Sequence, residues 1–200
     1  MARLPDPAQA AKQRLRGRMR ARRAALAPAR RAAAAQAIAA RCRTHPVVAR
    51  ARSVFVFVST PEEVATHDLI DWFVVTGRQV LVPLLAGRDL MHAVPFPGWA
   101  AMAPAALGIL SPPADSLPWP SPVDLVLAPG LAFTPYGARL GYGAGYYDAW
   151  IARNAPGALL ALAFDCQVVD RLPESPHDRR VDGIVTESRD IDCAACRDET

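Results

Sequence analysis

Apolar positions follow two different patterns along this chain. In the first fifty residues they recur at helical spacing among arginines and alanines. Leu15, Met19, Arg22 and Leu26 fall on one face of a helix predicted over 8–26. Pro28 suits the first turn of a second helix over 29–43, which its alanines favour. Beyond residue 52 the apolar positions condense into short unbroken runs: 53–58, 79–85, 124–128, 158–164 and 183–186, each predicted as a buried strand. Between them, Thr60-Pro61-Glu62-Glu63 is a turn opening a helix over 64–75, which Gly77 stops, and a further helix spans 145–154. Residues 86–122 are rich in proline and glycine, with one short hairpin near 89–96. The stretch 170–182 is predicted as loop and 188–200 as a frayed polar tail. Unbroken apolar strands alternating with helices imply an α/β fold: three layers, α/β/α, around a mostly parallel sheet. The expected organisation is one domain over 1–190, with a helical arm (8–43) on an α/β core (53–187).

Charge changes that picture. Residues 1–52 hold 14 of the 23 basic residues and a single acid, Asp6, for a net +13, and the rest of the chain carries −9. Such asymmetry points to a polyanion near the arm: a phosphate, nucleotide, nucleic acid or membrane headgroup. A solvated helix face offsetting an acidic body explains the same arginines. Lys12 is the only lysine in the chain. The longest apolar runs, 54–58 and 158–164, are too short to span a bilayer. The opening MARLPDPAQA lacks the apolar stretch of a secretory signal. Four cysteines do not make a disulfide framework, so the expected setting is reducing and cytoplasmic.

The chemistry concentrates in Gly137-Ala-Arg139-Leu140-Gly141-Tyr142-Gly143-Ala144-Gly145-Tyr146-Tyr147-Asp148, between a strand and a helix. Alternating glycines leave backbone amides open to an anion at the helix start. Arg139 is suited to clamp phosphate oxygens. Asp148, in the first helical turn, would repel a phosphate unless a hard cation such as Mg²⁺ lay between them. A tight loop whose glycines merely permit close packing is the alternative. No Gly-Lys-Ser/Thr occurs, so this is not a Walker A loop, and the glycine spacing does not fit the dinucleotide fingerprint.

Ala128-Pro129-Gly130-Leu-Ala-Phe133 followed by this loop resembles the signature of the 5-formyltetrahydrofolate cyclo-ligase family. Lys12-x-x-Leu15-Arg16, Glu63-Val64-x-Thr66, Ala163-Phe164-x-x-Gln167, Leu172-Pro173, His177-Asp178 and Val181-Asp182-x-Ile184-Val185-Thr186-Glu187 follow that family's pattern in order. The chain departs at Leu84, Ser111, Ala144 and Ala65. The resemblance implies ATP-driven closure of 5-formyltetrahydrofolate to 5,10-methenyltetrahydrofolate, with ATP as co-substrate and Mg²⁺ as cofactor. It assigns ATP to Lys12, Arg16 and Arg139 and to loop residues Leu140, Gly141, Tyr142, Gly143, Ala144, Gly145, Tyr146 and Tyr147. Reduced folate falls to Val58, Glu63, Met91, Tyr142, Gly145 and Tyr146. Arg139 and Tyr146 would serve catalysis, and Asp148 and Asp178 would hold the metal. Lys12 and Arg16, four apart on one helical face, can point at one polyphosphate. The expected partners are small molecules, with no membrane and no nucleic acid, acting on a monomer.

Other signals carry less. Cys193-x-x-Cys196 is half a zinc site with no second pair. Cys42 and Cys166 fit buried thiols. His45, His67, His92 and His177 have no ligand spacing, and no Gly-x-Ser-x-Gly elbow accompanies His177-Asp178. Two rival readings stand beside the cyclo-ligase. One is a non-catalytic folate- or nucleotide-binding relative, favoured by Leu84 and Ser111. The other is an RNA-binding protein using Arg18, Arg20, Arg22 and Arg23 together.

Overall fold

The computed structural model describes residues 7–87, 90–105 and 109–198. Seven strands form one sheet in the order β11-β10-β9-β6-β1-β2-β3. They are β1 (Ser53–Val56), β2 (Gln79–Leu85), β3 (Met91–Pro95), β6 (Leu125–Ala128), β9 (Ala158–Leu162), β10 (Gly183–Val185) and β11 (Asp190–Asp192). The central five run parallel, and β3 and β11 close the edges antiparallel. The helices are α1 (Pro7–Ala24), α2 (Pro28–Thr44), α3 (Pro46–Arg50), α4 (His67–Val75), α5 (Tyr146–Asn154) and α6 (Cys193–Asp198). No helix among the described residues is long and apolar enough to cross a membrane.

Alternate residues of each central strand go to opposite faces, which is why the strands are apolar throughout. Val54, Val56, Val80, Val82, Leu125, Leu127, Leu160 and Leu162 pack with Ile38 and Ala39 of α2 and Leu69, Ile70 and Phe73 of α4. Phe55, Leu81, Val126, Leu159 and Ala161 face the other way, onto Trp150 and Ile151 of α5. Three layers result. Because α2 belongs to one of those layers, the arm is α1 alone. Met19 of α1 packs with Leu131, Ala132 and Leu140, so the arm lies across the segment that follows β6.

Three expectations need correction. The tail expected over 188–200 is not frayed where it is described, to 198: β11 pairs with β10, and Cys193 at the start of α6 is fully buried. The hairpin closes because Thr186 Oγ1 accepts from the Arg189 amide, and Asp192 Oδ1 accepts from the amide of Ala194 where α6 begins. Helix α4 starts at His67, not 64. Thr66 Oγ1 donates to Phe57 O at 2.7 Å and accepts from Ser59 N, holding 59–66 as a loop. The glycine-rich segment is not loop throughout. Its first part is a hairpin of β7 (Ala132–Phe133) and β8 (Arg139–Leu140). Short two-residue strands also pair within 86–122, β4 (Ala103–Pro104) with β5 (Leu110–Ser111). Of the expected hairpin near 89–96, β3 is its second strand, while Asp89, like Gly108, lies outside the described residues.

The β7–β8 turn needs glycine. Gly137 has φ +88°, and a Cβ there would sit 2.3 Å from the backbone oxygen of Val181. Left-handed backbone alone costs a side chain about 1–2 kcal/mol, and here the obstacle is main chain. Gly137→Ala should therefore lower stability by at least about 2 kcal/mol, read as a shift in the urea midpoint with unchanged slope.

Candidate active site

In open parallel sheets, ligands sit beyond the carboxyl ends of strands where the order reverses, here between β1 and β6. The elements at that end are the 57–66 loop after β1, the Pro129-Gly130 turn and β7–β8 hairpin after β6, the loop 141–145, and the start of α5. The 175–180 loop and α1 complete the ring.

Four cations on these elements are buried: Lys12, Arg16, Arg23 and Arg139, all 8% exposed or less. Lys12 Nζ donates to Ser175 Oγ at 2.9 Å and to Asp178, whose Oδ2 also accepts from the Ser175 amide. Arg139 Nη2 donates to Asp148 Oδ1 at 2.7 Å, and its Nη1 donates to Pro129 O at 3.2 Å. Asp148 Oδ1 accepts a second bond, from the amide of Arg179 at 3.0 Å, so the 175–180 loop is tied to the first turn of α5. Lys12 and Arg139, two of the three cations expected on phosphate, are thus each paired with a carboxylate expected on metal.

Arg16 grips the loop from the arm. Its Nε donates to Gly141 O at 3.0 Å, and a Cβ on Gly143 (φ +114°) would come within 3.3 Å of its Cζ. Burial, and then like-charged Arg20, pull its pKa down, with Asp178 opposing them. The loop 142–145 is exposed and Gly145, at φ +74°, precedes α5, so the helix start opens beside the glycines.

Glu63 and Tyr142 meet. The Tyr142 hydroxyl donates to Glu63 Oε1, and Glu63 Oε2 accepts from the Thr60 amide at 2.8 Å. More than a third of Tyr142 is exposed; desolvation by partial burial, then Glu63 beside it, pushes its pKa up. Tyr147 lies under Arg139 and stacks on Phe55, with ring centroids 5.8 Å apart. Its hydroxyl is buried with no partner, and burial, then Glu63, raise its pKa. Both phenols therefore stay protonated at neutral pH.

The remaining expected residues are more peripheral. The Tyr146 hydroxyl reaches Gly87 O at 3.4 Å. Val58 is buried in the core under the site, and Met91 is buried beside Phe55 and Trp150. Leu84 is a core residue facing the α2–α4 layer, and Ser111 sits in β5, opposite Ala103. Among the described residues no three His, Cys, Asp or Glu cluster as a metal cage.

The model of the 5-formyltetrahydrofolate cyclo-ligase family matches residues 8–187. The chain belongs to that family. A cyclo-ligase from Escherichia coli K12 is 33% identical over 180 residues, covering 86% of this chain and 97% of the relative. A probable cyclo-ligase from Caenorhabditis elegans is 33% identical over 151 residues, 68% of this chain and 73% of the relative. Among solved structures, the Aquifex aeolicus 5,10-methenyltetrahydrofolate synthetase aligns with a TM-score of 0.78 at 25% identity, over 91% of this chain and 92% of that one. That of Mycoplasma pneumoniae aligns at 0.69 and 18% identity, over 88% and 98% of the chains, and speaks for the fold alone.

Within this cyclo-ligase family chain, the buried face of α1 differs from the one that its apolar spacing predicts. Arg22 was expected on the packed face of α1 and is exposed, whereas Arg23 is buried at 3%. Arg23 therefore cannot join an exposed nucleic-acid stripe with Arg18, Arg20 and Arg22. Gln167 stands in the sequence only as the last residue of Ala163-Phe164-x-x-Gln167. Its amide nitrogen donates to Gly130 O at 2.8 Å and its oxygen accepts from Phe164 N at 3.0 Å, which fixes the turn after β6 against the end of β9.

Proposed function

We infer that this chain closes the ring of 5-formyltetrahydrofolate to 5,10-methenyltetrahydrofolate at the cost of ATP. Family membership supports the reaction, and the paired charges at the mouth of the sheet support where it happens. In the proposed path the formyl oxygen attacks the γ-phosphorus and the bond to ADP breaks. The N10 nitrogen then bonds to the activated formyl carbon, the C–O bond breaks, phosphate leaves with that oxygen, and the N10 proton passes to phosphate or water. Phosphoryl transfer asks mainly for positioning and charge neutralisation.

The chain's groups fit those needs. Lys12 and Arg139 would turn from Asp178 and Asp148 to phosphate oxygens, with Arg16 and the 141–145 amides completing the cradle. One set of neutral pairs replaces another, so no buried charge is left alone. Asp148 and Asp178 fit magnesium as a pair of hard oxygen donors without a protein cage. Mg²⁺ commonly takes one or two carboxylates and completes its shell with phosphates and water. When bound, the ion neutralises and orients the phosphates. Glu63, in the loop after β1, would accept N–H donors of the pterin on the lone pairs that Tyr142 and Thr60 leave. Tyr146 would line the junction of the two ligands.

The expected result is an absorbance band of the conjugated methenyl bridge that grows only when ATP and Mg²⁺ are both present with 5-formyltetrahydrofolate. A flat trace from folded protein that binds ATP would favour the non-catalytic reading, which Leu84 and Ser111 motivate.

A further inference from the structure

Arg23 is the buried cation of this site that the reaction does not use. It sits on the same stripe of α1 as Lys12 and Arg16, at i+11 and i+7, so one helix carries all three. Its Nη1 donates to the Tyr142 hydroxyl at 2.7 Å, and its Cζ lies 5.7 Å from the centre of the Tyr142 ring. The same hydroxyl donates to Glu63. The arm thus holds three successive loop residues: Arg16 touches Gly141 and Gly143, and Arg23 holds Tyr142 between them.

As a stability device Arg23 is poor. Its ion pair with Glu62 is long, at 3.4 Å, and the Glu62 side chain is 53% exposed. Its Nε is buried without a hydrogen-bond partner. A buried guanidinium so partnered gains little over an apolar side chain of similar size. What the arrangement does provide is a continuous hydrogen-bonded path, Arg23 to Tyr142 to Glu63, from the nucleotide-facing arm to the loop after β1.

We propose that Arg23 is a positioning residue that holds Tyr142 against Glu63, and so couples seating of phosphate on Lys12 and Arg16 to the readiness of Glu63 for the folate. This rests on the function proposed above. Phosphate drawn onto Lys12 and Arg16 settles α1, α1 fixes Arg23, and Tyr142 then presents Glu63 in one orientation. The converse follows by reciprocity: bound folate must tighten nucleotide binding by the same factor.

The test is calorimetric titration of full-length protein with 5-formyltetrahydrofolate, with and without a non-hydrolysable ATP analogue and Mg²⁺. Wild type should bind the folate about tenfold tighter when the analogue is present, within the usual range of such couplings. Arg23→Met should reduce that factor to about twofold or less, while affinity for the analogue alone changes by less than about threefold. Arg23→Lys, which keeps the charge but not the fork, should recover part of the coupling. If Arg23→Met does not fold, Arg23→Gln, which keeps a polar head but loses the charge and the fork, is read in the same way. Wild-type coupling retained in the variant, or no coupling in wild type, overturns the proposal. Turnover of the wild-type sample keeps the two inferences apart: its absence contradicts the cyclo-ligase reading, whereas turnover with undiminished coupling in the variant contradicts only the role of Arg23.

Discussion

Replacing Lys12 with alanine should raise the ATP concentration for half-maximal turnover by about 10- to 100-fold, the factor that losing one charge-assisted contact of about 1.5–3 kcal/mol implies. Lys12 is the chain's sole lysine and is almost completely buried, and α1 aims its ammonium at the 175–178 turn. Under the proposed function, truncation removes a phosphate ligand and leaves Asp178 facing the same space without its cation. Two penalties then fall on nucleotide binding: a lost attraction and an unopposed carboxylate. The sheet does not depend on this pair, so circular dichroism should be unchanged. Arg14→Ala, two residues along α1 and exposed, is the control and should leave the ATP requirement where it was. Equal kinetics for Lys12→Ala and wild type would remove Lys12 from the nucleotide site.

Asp148→Asn should lower kcat by about 100- to 1000-fold, the size expected when a pre-aimed electrostatic group is lost from a charge-transfer site. The substitution is nearly isosteric. An amide oxygen can still accept from Arg139 and from the Arg179 amide, so the α5 start and the 175–180 loop should keep their geometry. What is lost is the negative charge. Nucleotide affinity measured without magnesium should hold or improve, since a carboxylate beside phosphate is repulsive. The split between intact binding and failed turnover distinguishes loss of the metal partner from loss of packing. Full activity of Asp148→Asn at ordinary magnesium would mean that the metal is held elsewhere.

The parts of this molecule that could be read from sequence are those whose signal is local. The central strands are unbroken apolar runs because both of their faces are covered, and β2 matches its expected bounds, Gln79–Leu85. The loop 137–148 declared itself because glycines, an arginine and an acid fall within one turn of chain. Edge elements lacked that signal. Strand β11 is Asp-Ile-Asp, half polar because one side of it meets water, and it forms only because β10 offers a free edge. The β7–β8 hairpin has two residues per strand, too few for any period. On α1, the apolar residues suggested a face through Arg22, but the helix packs by its cations, along Lys12, Arg16, Met19 and Arg23. Hydrophobic spacing misses a face that turns toward a charged site. Gln167 lay hidden for a different reason: its role joins the ends of β6 and β9, which are distant in sequence and adjacent only in the sheet.

The central claim is that the formyl oxygen of the folate is carried off on the γ-phosphate at the mouth of β1 and β6. The direct measurement is a single reaction of purified protein with 5-formyltetrahydrofolate labelled with ¹⁸O in the formyl group, ATP and Mg²⁺. Methenyl absorbance, ADP and phosphate should rise together in equal amounts, with the label recovered in phosphate. Ring closure with the label released to water, or no ATP-dependent closure by folded protein that binds the nucleotide, would contradict the account.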